Sequence, residues 1–294
     1  MMKNRSGKAM LILKFFVSVL LFSVFIKLDS ILGLVDQLVK LEWPLPIIII
    51  ASVLVRMIFT GIVVLVILPR ILGFRQLRDW LNENLNATSK ILIAGVVSFL
   101  IFASLATIIS LCMGIFKLDL LAVFDKPDIQ PDPDVIGWGY FLLALVPGIW
   151  EELAFRGLIL SKCRQVFSTR MSVTLSALFF GLFHFSNLIN QAPAQAIPGV
   201  VMAFCFGIGW GYLTFKARSV VPAILSHYLV DSLGQVFFAV ETSNPMLLTG
   251  YLLTLTLLFP VFNVILSRTI FKGIRGERNV NEKSINHRQT TYKI

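Results

Sequence analysis

Long apolar runs dominate this chain and decide which solvent it folds in. Eight stretches, at about residues 10–32, 45–68, 90–116, 135–160, 171–190, 195–215, 218–237 and 246–268, are apolar. Several reach the roughly 20 residues an α-helix needs to cross about 30 Å of hydrocarbon. Of 294 residues, 56% are hydrophobic and 14% are charged, against about 25% charged in a soluble domain. A membrane β-barrel would alternate with period two, and these runs do not. The expected fold is all-α: a polytopic membrane protein of about eight transmembrane helices.

The placement of charge tests that count. The net charge is +10, which taken alone would invite a nucleic-acid reading. The cations instead cluster between apolar runs. Lys3, Arg5, Lys8 and Lys14 open the chain; Arg70, Arg75, Arg78 and Lys90 fill the second gap; Lys162, Arg164 and Arg170 the fourth; Lys216 and Arg218 the sixth; and Arg268, Lys272, Arg275, Arg278, Lys283, Arg288 and Lys293 the tail. The alternate gaps are different. Residues 119–134 hold five Asp and one Lys, and 187–195 and 238–246 hold no Lys or Arg. Lysine and arginine concentrate on the cytoplasmic side, so both termini are expected inside. The partner is then the bilayer, not nucleic acid. The chain divides into helices one to three with an acidic outside loop (1–130), a membrane core (131–270) and a basic cytoplasmic tail (271–294). The first run lacks a small-x-small cleavage site and is followed by Lys27 and Asp29, so it is read as a retained helix. Cys112, Cys163 and Cys205 are scattered, with no CxxC, which argues against a disulfide or thiolate metal site.

A few ionisable groups lie within the apolar runs. Each costs about 2.5–3.5 kcal/mol near mid-bilayer on insertion scales, and such groups mark interiors and pathways. Segment four carries Glu151, Glu152 and Arg156 in GIWEELAFRGLIL; segment five carries His184 in FFGLFHFSN; segment seven carries His227 and Asp231 in ILSHYLVD. Residues four apart share a helix face, while neighbours are turned by about 100°. Glu152 and Arg156 can therefore pair along their helix. Glu151 points elsewhere and is the candidate general base. Asp231 is placed to orient His227 and fix its tautomer. Phe180 shares the face of His184 and is expected to wall the pocket. Glu151 and His227 lie at similar depth, roughly 13 Å from their cytoplasmic ends at 1.5 Å per residue, with His184 somewhat deeper. A Glu–Arg clamp or a lone intramembrane His each has a plain packing explanation. Five acid or imidazole groups converging from three helices do not. Ser226, beside His227, is discounted as a nucleophile because adjacent helical residues diverge, and Cys163 because no His accompanies it.

These residues resemble a known family. EELAFRG (151–157), FGLFH (180–184) and HYLVD (227–231) are similar, in order and spacing, to the EExxxR, FxxxH and HxxxN/D motifs of the CPBP family of CAAX prenyl endopeptidases and bacteriocin-processing proteins, also called Abi. The resemblance covers about residues 135–240. It implies an intramembrane endopeptidase with a core of eight helices. Glu151 would activate water, His184 would help to hold or deprotonate it, His227 and residue 231 would stabilise the oxyanion, and Glu152 and Arg156 would shape the site. Position 231 is Asp here, where the better-described prenyl-protein members have Asn. An ionised Asp cannot donate to an oxyanion, so Asp231 is either protonated or acts only by orienting His227.

Two Glu and two His also suit zinc with an open position for water. HExxH is absent, however, and Glu151 and Glu152 diverge. The expectation is a metal-free protease with no cofactor, and a zinc-dependent version is the alternative. A proton-coupled transporter and a non-catalytic immunity or scaffold protein are further alternatives. Partners are a protein or peptide substrate, with or without a lipid, and the bilayer. The expected location is the plasma membrane, with the site open to the cytoplasm.

Overall fold

The computed structural model describes residues 2–26, 37, 40, 42–74, 85, 87–117, 139–189, 192–238, 240 and 242–272. The acidic loop expected at 119–134 and the end of the basic tail from 273, including His287, lie outside the described residues, as do Lys27 and Asp29. Among the described residues the chain is helical, with no β-strand beyond an isolated bridge between Phe116 and Val240.

Eight long helical segments follow one another among the described residues. α1 is Met2–Ile26. α2 runs through Leu45–Ile62, a π-helical Val63–Ile67 and Leu68–Leu72. α3 is Ser89–Cys112. α4 is built of Gly139–Leu143, Leu145–Glu152, a π-helical Leu153–Ile159 and Leu160–Arg164. α5 is Thr169–Phe183, tightening to 3-10 geometry over His184–Ile189. α6 is Pro193–Ala217, α7 Val221–Phe238 and α8 Pro245–Ile270. Six helices are long and apolar enough to cross a membrane: Gly7–Ile26, Pro46–Leu72, Ser89–Cys112, Thr169–Leu188, Ala196–Ala217 and Pro245–Ile270. Among the described residues α4 and α7 are not in that set. Glu151, Glu152 and Arg156 interrupt the apolar run of α4, and α7, Val221–Phe238, is among the shorter helices.

Local chemistry sets the helix ends. Pro residues stand in the first turn of α2, α6 and α8, where no backbone N–H is missed. Ser168 caps α5 by accepting from Met171 N, and Asn244 caps α8 by accepting from Met246 N at 3.0 Å. Gly73 ends α2 at φ 75°, a left-handed conformation that costs glycine nothing. Arg218 ends α6 in the same region, at φ 52°, without that freedom.

Packing follows the usual membrane division. Leu13, Leu20, Leu54, Ile58, Leu100, Leu257 and Ile265 are exposed, as suits a surface facing acyl chains. Phe15 and Phe22, two turns apart on α1, are buried against Phe179 and Phe155 with ring centroids 5.4 and 5.8 Å apart. α7 lies at the centre, against α3 on one side and α4 on the other, while α6 packs between α5 and α8. Where α3 meets α7 the backbones nearly touch. A Cβ at Gly95 would stand 2.9 Å from the Pro222 carbonyl oxygen.

Gly95→Val is therefore expected to overpack this crossing and destabilise the protein by about 1–3 kcal/mol, read as a lowered Tm in detergent. Gly199→Ala, where an added Cβ meets nothing within 4 Å, should leave Tm unchanged or slightly raised.

Candidate active site

The site starts from a change of helical pitch. α4 is α-helical up to Glu152 and π-helical from Leu153. The wider turn is visible in the Leu160 N–H, which bonds Phe155 O, five residues back. Ser176 on α5 donates to that same carbonyl at 2.8 Å, giving the widened backbone a second partner. Such single wide turns inside α-helices are frequent at functional sites.

Glu152 and Arg156 meet as the spacing predicts: Arg156 Nη1 donates to Glu152 Oε1 at 2.9 Å, with both side chains fully buried. The same oxygen does a second job that spacing along one helix does not reveal. It lies 2.9 Å from His227 Nδ1 on α7, so one carboxylate oxygen joins the two helices. The approach needs a small residue. A Cβ on Gly148, one turn before Glu152, would stand 3.1 Å from Tyr228 Cα.

His227 Nε2 faces Asp231 Oδ2 at 3.4 Å. The imidazole thus stands between two carboxylates, held more closely by Glu152 than by Asp231. With both carboxyl groups ionised, both contacts are hydrogen bonds only when the ring carries both its protons. Asp231 is the most open acid of the group, its side chain 29% exposed. Aromatic rings close the remaining sides. Trp210 of α6 stacks on His227, centroids 4.4 Å apart and planes 23° from parallel. Phe180 meets the His227 ring edge-on at 5.9 Å and the His184 ring at 4.7 Å, so it touches both imidazoles. It also lies against the Arg156 guanidinium, 4.0 Å from the ring centroid, a cation–π arrangement that favours a cation with little access to water.

His184 closes α5. Its Nδ1–H donates to Phe180 O at 2.9 Å, which leaves Nε2 as the acceptor nitrogen of the neutral ring. Glu151 is 6% exposed and its Oε2 has no hydrogen-bond partner among the described residues. It interacts electrostatically with His227, Asp231, Glu152 and Arg156. The structure therefore gathers Glu151, Glu152, Arg156, Phe180, His227 and Asp231 in one neighbourhood, with His184 joined to it through Phe180. Ser226 is turned away from the acids, hydrogen-bonded to Ser98 and Trp210, and Cys163 is fully buried.

Two features escaped sequence reasoning. Trp210 carries no motif signal. Arg56 did carry one, a guanidinium within the apolar run LPIIIIASVLVRMIFTGI. It is half-buried on the α2 face that holds Ser52 and Thr60, opposite the exposed Leu54, Ile58 and Ile62.

Among the described residues no group of three His, Cys, Asp or Glu side chains is arranged to hold a metal. Nδ1 of His184 bonds a carbonyl and leaves Nε2 open, whereas both nitrogens of His227 face carboxylates.

Residues 133–233 match the family model described as Type II CAAX prenyl endopeptidase Rce1-like. No curated protein matches the chain. The matched span contains all seven residues singled out from the motifs.

Because Arg156 neutralises a carboxylate with no access to water, Arg156→Met should cost about 3–5 kcal/mol of stability. Glu152→Met combined with Arg156→Met should recover part of that loss, because no lone charge is then buried. A double-mutant cycle on thermal unfolding in detergent checks both, and additive losses would count against a shared charge network.

Proposed function

Residues 133–233 belong to the family of type II CAAX prenyl endopeptidases, and from that premise we propose that this integral membrane protein hydrolyses a peptide bond by direct attack of water activated by Glu151. The observation that carries the reading is the buried Glu151 Oε2, which has no hydrogen-bond partner among the described residues, beside an imidazole already held by two other carboxylates. In a site built this way, Glu151 is the acid not committed to structure.

The chemistry proceeds in two steps. Water oxygen bonds to the scissile carbonyl carbon while its proton passes to the Glu151 carboxylate, with His184 Nε2 helping to hold or deprotonate that water. The carbonyl π pair moves onto oxygen, and the resulting oxyanion takes a hydrogen bond from the Nε2–H of His227. Donors aimed at developing charge are usually the largest single contribution to such catalysis. The tetrahedral intermediate then collapses, the C–N bond breaks, and Glu151 returns its proton to the leaving amine. No Ser or Cys nucleophile takes part, and no metal is invoked. The engagement of both His227 nitrogens by carboxylates supports the metal-free version. Glu152 holds His227, Arg156 neutralises Glu152, and Phe180 touches both imidazoles. Asp231 orients His227 from the Nε2 side and yields that position to the oxyanion.

The substrate, on this reading, is a protein or peptide whose cleaved segment carries a prenyl group or lies against the membrane. The site opens to the cytoplasm of the plasma membrane with both termini inside. Support comes from Lys162, Arg164 and Arg170 around the α4–α5 turn and from Lys216 and Arg218 at the end of α6, all on the side where basic residues concentrate.

Glu151→Gln is expected to lower cleavage of an internally quenched farnesylated CAAX peptide, or of the best member of a peptide library, by about 10²–10⁴-fold with Tm unchanged. His184→Ala should also lose cleavage, Cys163→Ala should retain it, and chelator should leave it intact. Activity surviving in Glu151→Gln would overturn the proposal. Chelator inactivation reversed by zinc would overturn its metal-free form.

A further inference from the structure

One firm contact does not fully fix an imidazole. Glu152 Oε1 holds Nδ1 at 2.9 Å, whereas Asp231 Oδ2 faces Nε2 only loosely, at 3.4 Å. The ring can then still swing about its Cβ–Cγ bond. A flat surface against its face removes that freedom, and the surface present is the indole of Trp210, stacked 4.4 Å away.

Trp210 is itself fixed by a chain of buried hydrogen bonds whose direction can be worked out from one end. The carbonyl of Phe259 only accepts, so the amide nitrogen of Asn263 faces it, at 3.0 Å. The amide oxygen of Asn263 then faces Ser98, whose hydroxyl donates to it at 2.6 Å. A hydroxyl has one proton. In the 2.8 Å contact between Ser98 and Ser226 the donor is therefore Ser226. Ser226 has spent its proton and keeps lone pairs for an N–H, and the Trp210 Nε1–H, which can only donate, supplies it at 2.9 Å. The chain runs one way, Trp210 to Ser226 to Ser98 to Asn263 to Phe259, with each role filled once. Ser98, Ser226 and Asn263 are fully buried, and Trp210 is 2% exposed.

This chain ties α6, α7, α3 and α8 at one level. Ser226 is the residue next to His227, and neighbours diverge by about 100° around a helix. α7 is thus held from one side by Ser226, towards α3 and α6, and from another by His227, towards α4. Phe206 and Phe259 press edges on the indole at 5.7 and 5.8 Å, and the Arg156 guanidinium lies 5.6 Å from its centroid. The indole is a fixed wall, and its fixing point lies beside the residue it orients.

We propose that Trp210 is a positioning residue for catalysis, holding the plane of the His227 imidazole through a one-way hydrogen-bond chain of Ser226, Ser98 and Asn263. The proposal rests on the reading of His227 as the oxyanion donor. A ring swung out of that plane would aim its Nε2–H away from the developing charge while substrate binding elsewhere stayed intact.

The test uses the full-length chain in nanodiscs with the quenched farnesylated CAAX peptide. Trp210→Leu should lower kcat by about 100-fold, the penalty of a small misplacement of a reacting group, with KM within threefold of wild type. Trp210→Phe, which keeps a ring face, should recover most of that loss, and Ser226→Ala, which keeps the indole but unhooks it, should fall between. Glu151→Gln separates the two ideas: if it keeps activity, the catalytic reading has failed, whereas its loss beside an active Trp210→Leu refutes only the positioning role. An independent readout needs no turnover. With His184→Gln and His287→Gln leaving one imidazole, ¹⁵N spectra should show the hydrogen-bonded Nδ1–H of His227 as a distinct signal that Trp210→Leu averages out. If Trp210→Leu does not fold, Ser226→Ala and Trp210→Phe carry the same two measurements. The proposal is overturned if kcat stays within twofold in the variants recovered, if KM accounts for the loss, if Trp210→Phe is as impaired as Trp210→Leu, or if the Nδ1 signal is unmoved.

Discussion

One carboxylate oxygen holds the site together. Glu152 Oε1 accepts from Arg156 on its own helix and lies against His227 on α7, 2.9 Å from each, with no access to solvent. A bare carboxylate in that place would cost several kcal/mol, so it exists only with a counter-charge and hydrogen bonds. The guanidinium one turn away supplies the charge without drawing on another helix, which leaves Glu152 able to reach across. The guanidinium needs support in turn, and finds it in the faces of Phe180 and Trp210. Carboxylate, guanidinium and rings form one unit in which each part justifies the burial of the next. The unit's product is an imidazole in fixed orientation.

The bilayer shapes how this unit is housed. Apolar packing between helices gains little where lipid tails are as apolar as leucine, so close backbone approach and interhelical hydrogen bonds carry association. Gly95 and Gly148 let α7 be gripped from both sides, by α3 against Pro222 and by α4 against Tyr228. The six helices with long apolar spans hold the protein in hydrocarbon. α4 carries two acids and a guanidinium, and α7 an imidazole and an acid. α5 both spans and carries His184, and has the lowest hydropathy of the six.

Legibility in the sequence follows the same physics. The apolar runs lie within a few residues of the helices because the solvent demands an unbroken stretch wherever the chain crosses it. The Glu152–Arg156 and His227–Asp231 pairs are readable from a spacing of four, since both partners ride on one helix. Ser226 was rightly set apart from the acids by the turn between neighbours. The Glu152–His227 contact, by contrast, depends on how α4 crosses α7, and no period within either helix encodes that. Trp210 is hidden for the same reason: its partners come from three other helices, and a tryptophan in an apolar run looks like core. The π-helical turn after Glu152 left no mark beyond Gly157, because the pitch is set with help from Ser176 on another helix. Arg56 was readable and missed; it stands in its apolar run as plainly as Glu151 does.

The unequal grip on His227 bears on the departure at position 231. An ionised aspartate cannot donate to an oxyanion, so on the proposed mechanism its contribution is to hold the ring until substrate arrives. A tight bond there would compete with the oxyanion for the same Nε2–H. The geometry has the tight contact on the other nitrogen: Nδ1 sits 2.9 Å from a fully buried carboxylate, whereas Nε2 lies 3.4 Å from a side chain that is partly open. The side that must stay fixed is the side held hard, and the side that must change partner is the side held loosely. An asparagine at 231 would donate to the oxyanion directly. On the proposed mechanism aspartate would serve the same reaction by aiming a donor it does not itself possess, provided the imidazole keeps its plane, and that plane is the one Trp210 lies against.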